Sequence, residues 1–211
     1  MGDIGCGVSA LFDGDSLTEG IGSTGGNTYP AQTVAALGTH WGAINLGASS
    51  LTIVQMQARA ATTVDPYYSV ASRRTLLIGW GGTKDLYFGA SAATTYNNIK
   101  TYAAARKAAG WRVVILSILP RSAGTPPPTF EADRQTVNAA LLADFPTATA
   151  HTNITSGGAY ADYLINIGAD TTIGEPGDQT NPTYYADLVH LTNAGYAIVA
   201  DYVKKAIQLF P

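Results

Sequence analysis

The sequence predicts an α/β fold, a mostly parallel sheet of about five strands with helices on both faces. Three observations carry this. Four short apolar runs each end in small or turn-forming residues, helical periodicities lie between and after them, and 211 residues suit one domain, 1–211, around a single core.

The runs are VSALFDG (8–14), GAINLGA (42–48), TLLIGWG (75–81) and RVVILSILP (112–120), each short enough for a strand buried on both faces. A fifth, weaker strand is expected in ATAHTNI (148–154). Tyr96, Ile99, Tyr102, Ala103 and Arg106 share a helical face before Gly110, and Val137, Leu141 and Leu142 mark a helix starting near Thr129. The clearest helix is the last. Ile198, Val199, Tyr202, Val203, Ala206 and Leu209 recur at helical spacing, Thr192 can cap the N-terminus, and Lys204 and Lys205 complement the dipole in the final turns. GTPPPTF (124–130) reads as a stiff loop after the fourth strand.

Composition narrows the function. Hydrophobic residues make up 46% and charged residues 13%, a globular balance, and the net charge of −3 with 12 scattered basic residues offers no track for phosphates, so nucleic acid is not an expected partner. VVILSILP (113–120), the longest apolar run, is less than half a membrane span. One Cys and three His fall short of any structural zinc pattern, so no metal and no cofactor is expected. The N-terminal MGDIGCG has no basic segment followed by an apolar one and reads as no signal peptide, which leaves open secretion with a leader already removed.

In a parallel sheet, ligands gather at the carboxyl ends of the strands. Three runs end there in distinctive loops: DGDSLTEG, NLGASS and GWGGTKDL. A serine in such a loop becomes a nucleophile only with a base to take its proton and a third group to orient the base. His40 precedes the second run and His151 lies in the weak fifth, and both read as structural or exposed. His190 differs, because in YYADLVHLTNAG it follows Asp187 by three residues. If that segment makes one helical turn, the carboxylate reaches the imidazole Nδ1.

The combination resembles the GDSL, or SGNH, hydrolase family over nearly the whole chain. GDSLTEG is similar to its first block, Gly47 in NLGASS to its second, GGTKD to its third and DLVHLT to its last. The resemblance implies a flavodoxin-like three-layer α/β/α sandwich and, for most members, esterase or lipase activity. Residue by residue, it makes Ser16 the nucleophile, His190 the general acid and base, and Asp187 its orienter. It builds the oxyanion hole from the N–H groups of Ser16 and Gly47 and the side chain at position 84. The α/β-hydrolase elbow G-x-S-x-G is not matched, since Thr18 stands at its final glycine. One departure is chemical: the family's third block reads G-x-N-D, and Lys84 puts a flexible ammonium where a short neutral amide is expected. Lys84 is either a weakened donor or a solvent-facing bystander.

Trp80, Tyr87, Phe88, Tyr184 and Tyr185 are candidates to wall an acyl or sugar pocket, with a place in the core as the alternative for each. The expected function is thus a serine esterase acting on short acyl groups of carbohydrates or small alcohols, with Lys84 as a weakening feature. The alternative is an impaired binding module of the same fold for a carbohydrate or acyl ligand. GIGSTG (20–25) satisfies a dinucleotide pattern but lacks a downstream acidic residue for a ribose, and Asp170, Glu175 and Asp178 fit no calcium-loop spacing.

Overall fold

A computed structural model of the chain describes residues 8–147 and 158–210. In chain order the elements are β1 (Val8–Gly14), α1 (Ser16–Glu19), α2 (Tyr29–Leu37), β2 (Trp41–Asn45), α3 (Ile53–Thr63), β3 (Leu76–Trp80), α4 (Thr83–Tyr87), α5 (Ala92–Ala108), β4 (Arg112–Leu116), α6 (Phe130–Asp144), β5 (Tyr163–Ile165) and α7 (Asn193–Ile207). All four strand pairings are parallel and the sheet order is β2-β1-β3-β4-β5, the flavodoxin-like arrangement expected. Leaving β1, the chain goes to one side for β2 and then crosses to the other for β3. The crevice at this reversal lies beyond the carboxyl ends of β1 and β3, where the GDSL and GGTKD loops emerge.

The period of two along each strand divides the core into two layers. Ala10, Phe12, Leu76, Ile78, Trp80, Val114 and Leu116 pack on one face with Tyr29 of α2 and Tyr196, Val199 and Val203 of α7. Leu11, Leu77, Val113, Ile115 and Leu164 face the other way, onto α3, α5 and α6. α7 begins where Thr192 Oγ1 accepts the Gly195 N–H and carries Lys204 and Lys205 in its last turn, as expected, while Leu209 lies just past its end.

Three expectations are corrected and one falls outside the described residues. β2 is an edge strand, alternately exposed and partly buried rather than buried on both faces, since only β1 pairs with it. β4 stops at Leu116 although the chain stays buried through Pro120, because side chains of α6 take over its backbone partners. Asn138 Oδ1 accepts the Ile118 N–H, and Arg134 and Asn138 donate to the Ile118 carbonyl at 2.9 Å. The fifth described strand is Tyr163–Ile165, and the stretch 148–154 falls outside the described residues, with His151. On α6, Val137 and Leu141 are buried but Leu142, about 100° further round the helix, points to solvent. Among the described residues no helix is long and apolar enough to cross a membrane.

Candidate active site

Ser16 sits at the first position of α1, immediately beyond β1, and is 5% exposed. Asp15 caps this short helix: its Oδ1 accepts the Leu17 N–H at 2.9 Å, and its carbonyl accepts the N–H groups of Thr18 and Glu19. Thr18, fully buried, bonds to the Tyr29 hydroxyl through Oγ1. The Ser16 loop is therefore fastened to the core layer beneath it.

The Asp187–His190 segment is not a helical turn. Leu188 adopts φ 69°, a left-handed conformation unusual for a leucine, so the chain folds back tightly enough for one carboxylate to serve the whole loop. Asp187 Oδ1 accepts the His190 N–H at 2.7 Å and the Val189 N–H at 3.3 Å, leaving Oδ2 for His190 Nδ1 at 2.6 Å. An ionised carboxylate only accepts, so Nδ1 carries the proton and donates it to Oδ2. His190 Nε2 is then the acceptor for the Ser16 hydroxyl, 2.8 Å away. Burial works to raise the Asp187 pKa, but hydrogen bonds from the His190 ring and backbone outweigh it and hold the carboxyl below its ordinary value.

The groups expected to form an oxyanion hole are differently placed. The Ser16 N–H has no acceptor among the described residues. The Gly47 N–H donates to Asn45 Oδ1 at 2.9 Å, and Asn45 Nδ2 donates in turn to the Thr18 carbonyl, so Asn45, which sequence reasoning passed over, ties the end of β2 to α1. The Lys84 ammonium lies over the rings of Tyr87 and Phe88, 5.1 and 5.7 Å from their centroids. Burial and the nearby Arg121 guanidinium lower its pKa, while Asp15 acts in the opposite sense. Asp85, beside it, is structural: its Oδ2 accepts the Ile53 N–H and anchors the start of α3.

Arg121 is the second residue that sequence reasoning missed. It follows β4 as Ser16 follows β1, and its guanidinium stacks on the Tyr87 ring at 4.1 Å. A charged residue just past a strand's carboxyl end was the available signal.

Of the five aromatic candidates, Tyr87 and Phe88 stand at this edge, Phe88 64% exposed. Trp80 and Tyr185 belong to the core instead. Each is nearly fully buried with its polar atom already engaged, Trp80 Nε1 by the Ser117 carbonyl and the Tyr185 hydroxyl by the Ile173 carbonyl. Tyr184 packs part-buried against the same layer. His40 is exposed at the amino end of β2. Asp170 and Asp178 spend carboxylate oxygens on backbone N–H groups of their own loop, and among the described residues no cluster of His, Cys, Asp or Glu is placed to hold a metal ion.

Burial raises the Asp15 carboxyl to about 7, against the bond from Leu17 and the pull of Lys84 and Arg121. Its folded pKa thus exceeds its unfolded one. Between about pH 4 and 7 the native state holds a proton that the unfolded state has lost, so this group's contribution to stability falls as pH rises through that window and is constant above it. Asp15→Asn keeps the Oδ1 acceptor and cannot ionise. Urea unfolding is expected to show the variant gaining on the parent by up to about 4 kcal/mol between about pH 4 and 8, at about 1.4 kcal/mol per pKa unit; a difference that does not change with pH would remove Asp15 as the titrating group.

The profile of the GDSL-like lipase/acylhydrolase family matches residues 12–198. A sequence search of curated proteins found no match. Among solved structures, a GDSL-like lipase from Bacteroides thetaiotaomicron is 21% identical, with a TM-score of 0.65 over 95% of this chain and 87% of its own. The lipase/acylhydrolase of Enterococcus faecalis is 16% identical, TM-score 0.66, covering 95% of each chain. The psychrotrophic esterase EstA of Pseudoalteromonas sp., solved with monoethylphosphonate as inhibitor, is 14% identical, TM-score 0.65, over 95% of this chain and 96% of its own. At such identities these structures establish the fold.

Proposed function

The chain belongs to the GDSL-like lipase/acylhydrolase family, and from that premise we propose that it is a serine esterase that hydrolyses carboxylic esters through an acyl-enzyme on Ser16. The observation that carries this reading is the unbroken hydrogen-bonded line from Asp187 through His190 to the Ser16 hydroxyl. Ser16 Oγ attacks the ester carbonyl carbon as its proton passes to His190 Nε2, and Asp187 stabilises the resulting imidazolium. The tetrahedral oxyanion is received by the Ser16 N–H, and by the Gly47 N–H as it exchanges Asn45 Oδ1 for the oxyanion. Collapse expels the alcohol, which takes the proton from Nε2, and water then repeats the sequence on the acyl-enzyme.

The exposed side chains of Phe88, Ile21 and Leu188 support short acyl groups on a carbohydrate or small alcohol. Ile21 and Leu188 lie on the two triad loops and offer an apolar rim to a small substrate. Lys84 and the engagement of the Gly47 N–H by Asn45 favour a second reading, an impaired hydrolase that binds such ligands. p-Nitrophenyl acetate separates the two. Turnover that disappears in Ser16→Ala, with one acetyl group trapped on the parent chain by rapid acid quenching, is the expected result; a parent that releases no p-nitrophenol rejects the esterase.

Position 84 makes this a slowed esterase. An ammonium on a flexible stem, held over two aromatic rings, must lose those contacts and rotamer freedom to reach an oxyanion. Removing one such donor in a comparable hydrolase lowers kcat roughly 10²- to 10³-fold. Lys84→Asn is therefore expected to raise kcat on p-nitrophenyl acetate about 10-fold or more within that bound, with a smaller change in KM because the gain lies in the transition state. An asparagine variant no faster than the parent means that lysine is a competent donor.

A further inference from the structure

Four buried or partly buried cations of the described structure each have a carboxylate of their own. Arg59 is paired with Asp13, Arg106 with Asp65, Lys107 with Asp162 and Arg134 with Glu131. Lys84 and Arg121 do not: both are partly buried at the carboxyl edge of the sheet, and neither forms an ion pair among the described residues. They share one support, the Tyr87 ring, with the guanidinium 4.1 Å and the ammonium 5.1 Å from its centroid.

That support is fixed. The Tyr87 hydroxyl donates to the Gly124 carbonyl at 2.7 Å, Arg121 Nε donates to the Ala123 carbonyl, and the Ser122 N–H donates to the carbonyl of Leu188, between the two triad residues of that loop. The loop that carries Arg121 is thus stitched both to α4 and to the Asp187–His190 turn. Both cations interact with Asp15, which adjoins the nucleophile, and Arg121 also with Asp187. Two like charges brought together with no carboxylate in ion-pair contact are unfavourable in the free protein. An anion arriving beside Ser16 would relieve that cost and gain charge-assisted bonds from a guanidinium with free N–H groups.

Resting on the esterase reading, we infer that the preferred substrate is an anionic ester, one with a carboxylate or similar acid group within a few atoms of the scissile carbonyl, held by Arg121 and Lys84. Arg121 acts here on specificity, with no part in the proton transfers.

Matched ester pairs test this. Methyl hydrogen succinate against dimethyl succinate places the charge on the acyl side, and 4-acetoxybenzoate against methyl 4-acetoxybenzoate places it on the alcohol side. In both pairs intrinsic reactivity with hydroxide favours the neutral member, so an enzymatic preference for the anion comes from the site. Expected is a kcat/KM ratio of anionic to neutral ester of about 10-fold or more in at least one pair, the worth of a charge-assisted hydrogen bond. The ratio should shrink as salt is raised, fall towards one in Arg121→Gln, and be partly restored in Arg121→Lys, which a purely structural role for Arg121 does not predict. If p-nitrophenyl acetate is hydrolysed but neither pair shows the preference, or the preference survives in the double variant Arg121→Gln, Lys84→Gln, the anionic substrate is wrong and the esterase stands. If no ester is hydrolysed, both are wrong.

Discussion

Ser16→Ala and His190→Ala are each expected to lower kcat on p-nitrophenyl acetate by about 10⁴- to 10⁶-fold, with Asp187→Asn losing less, about 10²- to 10⁴-fold. The three differ because they stand at different points on one line of hydrogen bonds. Without the Ser16 oxygen no acyl-enzyme forms, and without His190 nothing accepts its proton at 2.8 Å. Asparagine at 187 keeps an oxygen for the His190 and Val189 N–H groups, so the turn around Leu188 survives, but its amide cannot stabilise an imidazolium. Water offers partial compensation, since the Asp187 side chain is half exposed. Because Ser16 and His190 act as a unit, the double variant should be hardly slower than either single one. A His190→Ala protein with the parent's kcat would show that another group is the base.

How much of this was legible in the chain depends on the range of the signal. β1 was readable to the residue because its alternation faces apolar layers on both sides, and α7 because its stripe, cap and charged end agree. The contact between Asp187 and His190 was readable because the two lie three residues apart. The helical turn expected between them was wrong for a local reason: nothing in DLVH announces a left-handed leucine, a conformation stabilised by the bonds around it. α2 and α3 were not singled out, the first because it is short, the second although Ile53, Met56 and Ala60 recur at helical spacing and Thr52 and Gln55 form a capping box. The early end of β4 depends on Asn138 and Arg134, some twenty residues on, and no local pattern carries it. Trp80 and Tyr185 looked like pocket walls because aromatic residues suit either place; what decides is whether the N–H or O–H finds a buried acceptor, and here both do. Arg121 and Asn45 were visible as residue types at strand ends, but their importance comes from Tyr87 and Thr18, contacts made only on folding.

The second large effect is expected at Gly47. A Cβ built there would lie 2.1 Å from the Glu19 nitrogen and 2.5 Å from the Thr18 carbonyl carbon, both backbone atoms of the helix that carries Ser16. Neither side yields easily. The 46–48 segment is held to β1 by Leu46 N–H donating to the Phe12 carbonyl and Ala48 N–H to the Gly14 carbonyl, and Asn45 Nδ2 grips the Thr18 carbonyl. Relief requires about 1 Å of separation between the segment and α1, enough to move Ser16 off His190 and the Gly47 N–H off the place proposed for it at the oxyanion. Misplacement of that size lowers kcat by about 10²-fold, and losing the donor as well by up to about 10³-fold, overlapping effects that should not simply multiply. Overpacking adds about 1–3 kcal/mol of destabilisation. Gly47→Ala should thus show a lowered melting temperature and, at a temperature where it is still folded, a kcat at least about 10²-fold below the parent. Gly42→Ala, on the strand that leads into this segment, is the control, because a Cβ there meets only the Ser9 hydroxyl oxygen, at 3.2 Å, and a hydroxyl can turn away. Parent-like kcat in a folded Gly47→Ala protein would mean that this segment backs away from α1 without disturbing the nucleophile, and that the Gly47 N–H supplies no aligned donor to the reaction.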